Sequence, residues 1–495
     1  MIGSTPGRVP VVSVPAYGLD LRRDGAKEAL LDRFCERIQL EAGRPAWDRR
    51  RALRSVLDHT FVCGAQTVVV EARYTDLDYR DEYAQYYSTT FRSYSPVAHR
   101  MHFFADPPPE DIDNPHVAAS FAGLTYLGYA VIRPVTGAPV GRTMLQPPQE
   151  LLRWVTCAAT DQANLFGAVY EVTAAPFMSG DAQLGVCAHA AGWMAAYYHR
   201  LRYGAARWLP SDIAQAALSE FGVRRLVPTA GLTAGQLTEA MRRLNMSPLV
   251  YSSENMPRGE TLDKVARRYL DSALPVLVGT QDHAFVLVGY QRRTGRSKKV
   301  DFICNDDGAG PYQIRSIPKR GQPGEWLFLI VPLPPELYVP GERAEPLGIA
   351  RLQKEINDRA ANTAIRAMRD RLDDAEYITS AILSNDYKRF LGERGAPDDV
   401  ISGYGRIGMP KWIWVIEAVD RDALLSGQPS VLAEAIIDCT DHSSDMRTLA
   451  WRVPGLLRHW DPDSDFVGDF TLQSQSEVLL QSVAATSWRR PARLR

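Results

Sequence analysis

The sequence predicts an α+β protein of several domains, and three observations carry that expectation. At 495 residues the chain is longer than one hydrophobic core usually organises. Short β-branched runs such as QTVVVEARY, LPVLVG and KWIWVIEAV alternate with segments whose apolar residues fall at helical intervals, such as TAGQLTEAMRRLN. Two strand-like runs, HAFVLVGYQ and KKVDFICND, are separated by the polar, glycine-containing RRTGRS, which suits an antiparallel pair with a solvated connection.

In chain order, residues 25 to 58 have helical spacing, QTVVVEARY reads as a strand, and DLDYRDEYAQYYSTTF reads as a solvated helix face with tyrosine bodies packed beneath. PPPEDIDNP breaks the pattern, and LTYLGYAVIRPV and NLFGAVYEVTA are expected to be strands. An apolar helix begins in GDAQLGVCAHAAGWMAAYYHRLRYG, followed by helices at SDIAQAALSEFG and TAGQLTEAMRRLN, the second with Thr233 and Gln236 at capping-box spacing. Strand SPLVYSS, helix TLDKVARRYLDSA, strand LPVLVG, the antiparallel pair and strand EWLFLIVPL complete a central region. The proline-rich PLPPELYVPGERAEP reads as a boundary, residues 347 to 393 as mostly helical, and KWIWVIEAV and AEAIIDCTD as strands of a third region. The expected division is 1–165, 166–340 and 341–495. The basic end, SWRRPARLR, reads as an exposed terminus.

Hydrophobic residues at 45% and charged residues at 23% are ordinary for a soluble globular chain, and a net charge of −1 gives no overall attraction to nucleic acid or acidic membranes. The six cysteines are scattered singly, which fits free thiols in a reducing compartment better than a disulfide framework. The first twenty residues have no signal-peptide pattern, and the strongest apolar run, WLFLIVPLPP, is too short to span a bilayer. A cytoplasmic protein is expected, with no membrane span and no nucleic-acid partner.

Cys187 opens its helix, where the dipole and the unpaired first-turn N–H groups favour a thiolate. A thiol hydrolase also needs an imidazole to carry the proton and a polar group to orient that ring. His283 opens the strand HAFVLVGY, and Asn305 and Asp306 end the next one. Adjacent strand side chains point to opposite faces, so one of the two faces His283 unless a bulge intervenes, and periodicity does not choose between them.

In their order, GVCAHAAGWMAAYY, LPVLVG, HAFVLVGY and FICNDDGAG resemble the papain-like cysteine peptidase superfamily, above all the compact bacterial branch that includes double-glycine leader peptidases. The resemblance covers roughly residues 175 to 335 and implies a central domain in which a Cys-bearing helix packs on an antiparallel sheet. It implies Cys187 as nucleophile, His283 as general base and acid, and Asp306 as the orienting group, with Asn305 the alternative. It also implies a glutamine about six residues before the nucleophile. Asp181 stands there, a poor hydrogen-bond donor, and Gln183 is the substitute oxyanion candidate.

The expected activity is hydrolysis of a peptide or isopeptide bond through a thioester, with a protein or peptide substrate. Acyl transfer by the same three residues, and a papain-fold binding module without turnover, are the alternatives. No cofactor and no metal are implied: H-E-x-x-H, P-loop and dinucleotide fingerprints are missing, and DCTDHSSD (438–445) matches no known ligand spacing. His189, two residues after Cys187, reads as a helix-surface residue or a support behind the site, since i and i+2 do not face each other on a helix.

Overall fold

A computed structural model describes the chain outside residues 1–15, 23–24, 26–28, 31–48, 110–120, 122, 136–138, 181–185, 218–230, 293–299, 426–429, 441–447, 462–465, 473–479 and 482–495. Helices and antiparallel sheets share the described residues, as an α+β chain requires.

The N-terminal part runs β1 (Ala16–Asp20), α1 (Arg49–Val62), β2 (Thr67–Tyr74), α2 (Leu77–Gln85), β3 (Ala98–Phe104), β4 (Tyr126–Ile132) and β5 (Val140–Leu145), with the strands in one antiparallel sheet in sequence order. NLFGAVYEVTA, expected as one strand, is instead a corner. β6 (Ala159–Leu165) and β7 (Ala168–Ala174) form a hairpin through Phe166 and Gly167, whose φ angles of 51° and 82° make the tight reversal that twisted strands favour. A division at 165/166 would cut this hairpin at its turn.

The central part comprises α3 (Cys187–Tyr203), α4 (Pro210–Ala216), α5 (Ala234–Arg243), β8 (Ser247–Ser252), α6 (Leu262–Asp271), β9 (Val276–Gly279), β10 (Ala284–Arg292), β11 (Val300–Asp306), β12 (Gly310–Arg315) and β13 (Phe328–Leu333). Its six strands lie in the order β12-β11-β10-β9-β13-β8. Thr233 and Gln236 cap α5 reciprocally, as their spacing predicted. Helix α3 is buried nearly all round and packs across β10, because its run of Ala and Gly leaves room for close approach to the sheet.

The N-terminal and central parts share one hydrophobic core. Segment 154–157 lies directly on β10, where a Cβ on Gly289 would sit 2.1 Å from the Trp154 carbonyl oxygen; only glycine fits there. Helix α1 likewise presses Ser55 against Gly310, which has φ of 123°. Helix α2 is not the solvated face its acids suggested. Asp78 accepts from Trp193 Nε1 (3.4 Å) and Arg207 Nη2 (2.9 Å), Asp76 from Arg142 (2.8 Å), and Glu82 from Arg133 (2.6 Å), all buried against the rest of the molecule. Burying a carboxylate is tolerable only with such partners, so the acids dock α2 instead of solvating it.

The third part begins with α7 (Gly341–Asp358), so GERAEP is helical, with Pro346 inside the helix, and not a linker. β14 (Glu376–Leu383) interrupts the stretch expected to be helical, followed by β15 (Trp412–Val419), β16 (Ser430–Asp438), β17 (Thr448–Val453), β18 (Leu456–Asp461), β19 (Phe466–Thr471) and β20 (Leu480–Gln481), all in one sheet. Cys439 is buried there, while the rest of the DCTDHSSD loop and the basic tail lie largely or wholly outside the described residues. Among the described residues, no helix is long and apolar enough to cross a membrane.

Candidate active site

Cys187 is the first residue of α3, preceded by Val186 in extended conformation. The approach to it is braced from the N-terminal sheet. Phe177 and Thr143 exchange backbone hydrogen bonds of 3.0 and 2.9 Å, Ser179 N donates to Val140 O at 3.0 Å, and Arg133, paired with Glu82, donates to Ser179 O at 2.7 Å. His189 is buried, not on the helix surface, and its Nδ1 accepts from Val186 N at 3.4 Å, closing the helix start on itself. The first-turn N–H groups of a helix have no intrahelical acceptor, and those of Cys187 and Ala188 belong to that first turn.

His283 immediately precedes β10, its backbone N bonded to Thr280 Oγ1 at 3.1 Å. Its Nε2 lies 2.9 Å from Asp306 Oδ1, and the Cys187 side chain stands near enough to the ring to raise its pKa. With Nε2 engaged by Asp306, Nδ1 is the ring nitrogen left for the thiol. The imidazole therefore neighbours both a thiol and a carboxylate. The hydrogen bond to Asp306, then the neighbouring Cys187 side chain, raises its pKa to about 10, outweighing the opposing effect of burial.

Asp306 is 1% exposed and closes a turn: its Oδ1 also accepts from Gly308 N (2.9 Å) and Ala309 N (3.1 Å), and its Oδ2 pairs with Arg315. Burial disfavours its charge, but His283, Arg315 and the turn N–H groups together hold its pKa below the usual carboxylate value. Asn305 is placed elsewhere. Its Nδ2 donates to Pro176 O at 2.8 Å and its Oδ1 accepts from Tyr312 N at 2.9 Å, so it ties β11 to the segment leading towards Cys187 and makes no bond to His283. A register shift between Cys304 and Asp306 accompanies this separation of neighbouring side chains. Tyr312 itself has φ of 53°; its hydroxyl donates to Leu145 O (2.8 Å) and accepts from Ala175 N (2.9 Å).

Two groups at the site had not been singled out from the sequence. They are Arg315, nine residues after Asp306, and Asp307, which follows Asp306 directly. Asp307 Oδ1 lies 3.8 Å from His283 Nε2, and its Oδ2 accepts from Gly180 N at 3.3 Å. His283, Asp306 and Asp307 hold possible metal-ligand atoms within 4.8 Å of one another. Asp306 Oδ1 already takes three N–H donors and Arg315 puts a cation on the other oxygen, so these groups are arranged for hydrogen bonding to an imidazole, not for a metal. Gln183 and Asp181 lie outside the described residues. A groove of about 780 Å³ lined by Pro147, Glu150, Leu152, Arg153 and Val155 adjoins the opposite end of β10 and contains none of these groups.

No protein-family model and no curated protein matches the chain. Among solved structures it is similar to the peptidase domain of Streptococcus ComA, a bi-functional ABC transporter involved in a quorum-sensing pathway, at 19% identity and a TM-score of 0.21, over 30% of this chain and 90% of that one.

Proposed function

We propose that this chain is a thiol-dependent hydrolase with a papain-like central domain, cleaving a peptide or isopeptide bond with Cys187 as nucleophile, His283 as proton carrier and Asp306 as orienting carboxylate. The observation that carries the reading is the His283 ring, hydrogen-bonded to Asp306 and raised in pKa by both Asp306 and the neighbouring Cys187.

His283 takes the Cys187 proton, and the thiolate adds to the carbonyl carbon. The developing oxyanion meets the N–H groups at the start of α3. Collapse expels the amine with the proton returned by His283, leaving a thioester that water, activated by the same imidazole, then hydrolyses. Asp306 holds the ring in place and favours the imidazolium through both steps. The substrate is a protein or peptide, and Cys187 must stay reduced, which fits a cytoplasmic setting.

The test is the rate of Cys187 alkylation by iodoacetamide near neutral pH, read by peptide mapping. Alkylation should be faster at Cys187 than at the buried Cys157, Cys304 and Cys439, and His283→Ala should slow it by at least about tenfold. Equal rates in the wild type and His283→Ala would remove the proposal. Incubating the enzyme with a peptide library and a primary amine separates hydrolysis from acyl transfer, since amine-bearing products have a distinct mass.

A further inference from the structure

His283 faces two carboxylates, and they are not equivalent. Asp306 is tied down on both oxygens, by three N–H groups on one and by the Arg315 guanidinium on the other. Arg315 therefore offsets part of the charge that Asp306 presents to the ring. Asp307 is different. Its Oδ2 takes the single 3.3 Å bond from Gly180 N, while its Oδ1 is buried without a hydrogen-bond partner, 3.8 Å from His283 Nε2. A buried carboxylate oxygen left unpaired is costly unless a charge nearby compensates it. Among the described residues, the titratable and charged groups facing the ring are Cys187 from α3, Asp306 and Asp307 from the β11–β12 turn, and Arg315 from β12.

We propose that Asp307 is a positioning residue that works alongside Asp306: Asp306 aims the imidazole and does most to hold it protonated, and Asp307, whose ring-facing oxygen takes no hydrogen bond, adds a second negative charge that sustains the protonated form beside the Cys187 sulfur. This rests on the function proposed above. Asp307 also reaches Gly180, so the same side chain links the segment that follows Phe177 with the turn that holds Asp306. Burial, the larger influence, raises the Asp307 pKa above the usual carboxylate value, so its own protonation falls within an accessible acid range.

The experiment is NMR titration of the His283 ring in histidine-labelled full-length protein, the signal being assigned by its loss in His283→Ala. Asp307→Asn should lower the His283 midpoint by about one unit, and Asp307→Glu, which keeps the charge, should restore most of it. In the wild type, the His283 shift should show a second inflection on acidification, above the usual aspartate range, as Asp307 gains its proton. That arm needs no variant to fold. An unmoved midpoint in Asp307→Asn, or a wild-type ring without the acid inflection, overturns the assignment. The readout is independent of thiol reactivity. A moved midpoint in a protein whose Cys187 alkylates slowly would remove the hydrolase and leave the charge added by Asp307 standing.

Discussion

Two regions of this chain concentrate charge inside the fold, and they solve the problem in opposite ways. In the C-terminal sheet, Arg394 donates to Glu417 (2.7 Å) and Glu434 (2.9 Å), and Arg452 (3.0 Å) and the Tyr404 hydroxyl (2.9 Å) both reach Glu434. Both glutamates and Arg394 are fully buried, and two cations face two anions. Around His283 the ring is 30% exposed and one of its two carboxylates has an unpaired oxygen. A closed, neutral cluster holds a sheet together. An open cluster with charge to spare can move a proton. The difference is in exposure and charge balance: the His283 ring is open to solvent beside two carboxylates, which makes that cluster the candidate site, whereas charge density alone would not separate the two.

The comparison breaks first at Glu434. Glu434→Ala leaves two buried guanidinium groups short of an anion and should cost about 3–5 kcal/mol in urea unfolding, with Cys187 alkylation unchanged in native buffer. Equal losses of stability and thiol reactivity would mean that the two clusters are one. Next in size, Asp306→Asn should slow Cys187 alkylation on the order of 100-fold, because it weakens both the ring's orientation and its charge, with a smaller effect on the urea midpoint.

The pH dependence of stability sharpens the contrast. The His283 pKa rises from 6.5 to about 10 on folding, so its stabilisation is complete below pH 6.5 and is lost as pH climbs towards 10. Burial opposes the charge on Glu434, yet Arg394 and Arg452 bring its pKa from 4.5 down to about 2, so its contribution is complete above pH 4.5 and disappears as pH falls towards 2. Urea midpoints across pH should lose their alkaline slope in His283→Ala and part of their acid slope in Glu434→Ala. The smallest effect belongs to Arg315, whose side chain is 39% exposed. Arg315→Gln should change alkylation only a few-fold, and 1 M salt should reproduce most of the change in the wild type.

The order Cys187, His283, Asp306 was legible because each sits at the end of an element whose periodicity is clean. The choice between Asn305 and Asp306 was not, since it depends on a local register shift in β11 and on backbone partners from residues 175, 176 and 312. Asp307 and Arg315 were hidden for a similar reason: their role lies in who faces them. Strand β3, AHRMHFF, escaped notice because it is buried along its whole length while carrying His99, Arg100 and His102, whose polarity breaks any apolar pattern. The acids of α2 misled for the opposite reason. Their partners Arg133, Arg142 and Arg207 come from well beyond the helix, so the segment alone looks solvated. β14 was lost among helix-forming neighbours, its strand state settled by pairing along its full length with β15.

Tyr312 gives the molecule one further property. Its hydroxyl is shared between Leu145 O and Ala175 N, its amide is held by Asn305, and its ring stacks on His59 of α1 at 5.1 Å, all while its backbone occupies a left-handed conformation that a tyrosine adopts only under constraint. The strand beside the Asp306 turn is thus clasped by residues 59 and 145 of the N-terminal part. Removing residues up to 145 would take away the Leu145 and His59 contacts, so a chain shortened in this way should hold Tyr312, and the Asn305–Asp306 turn beside it, less firmly than the whole.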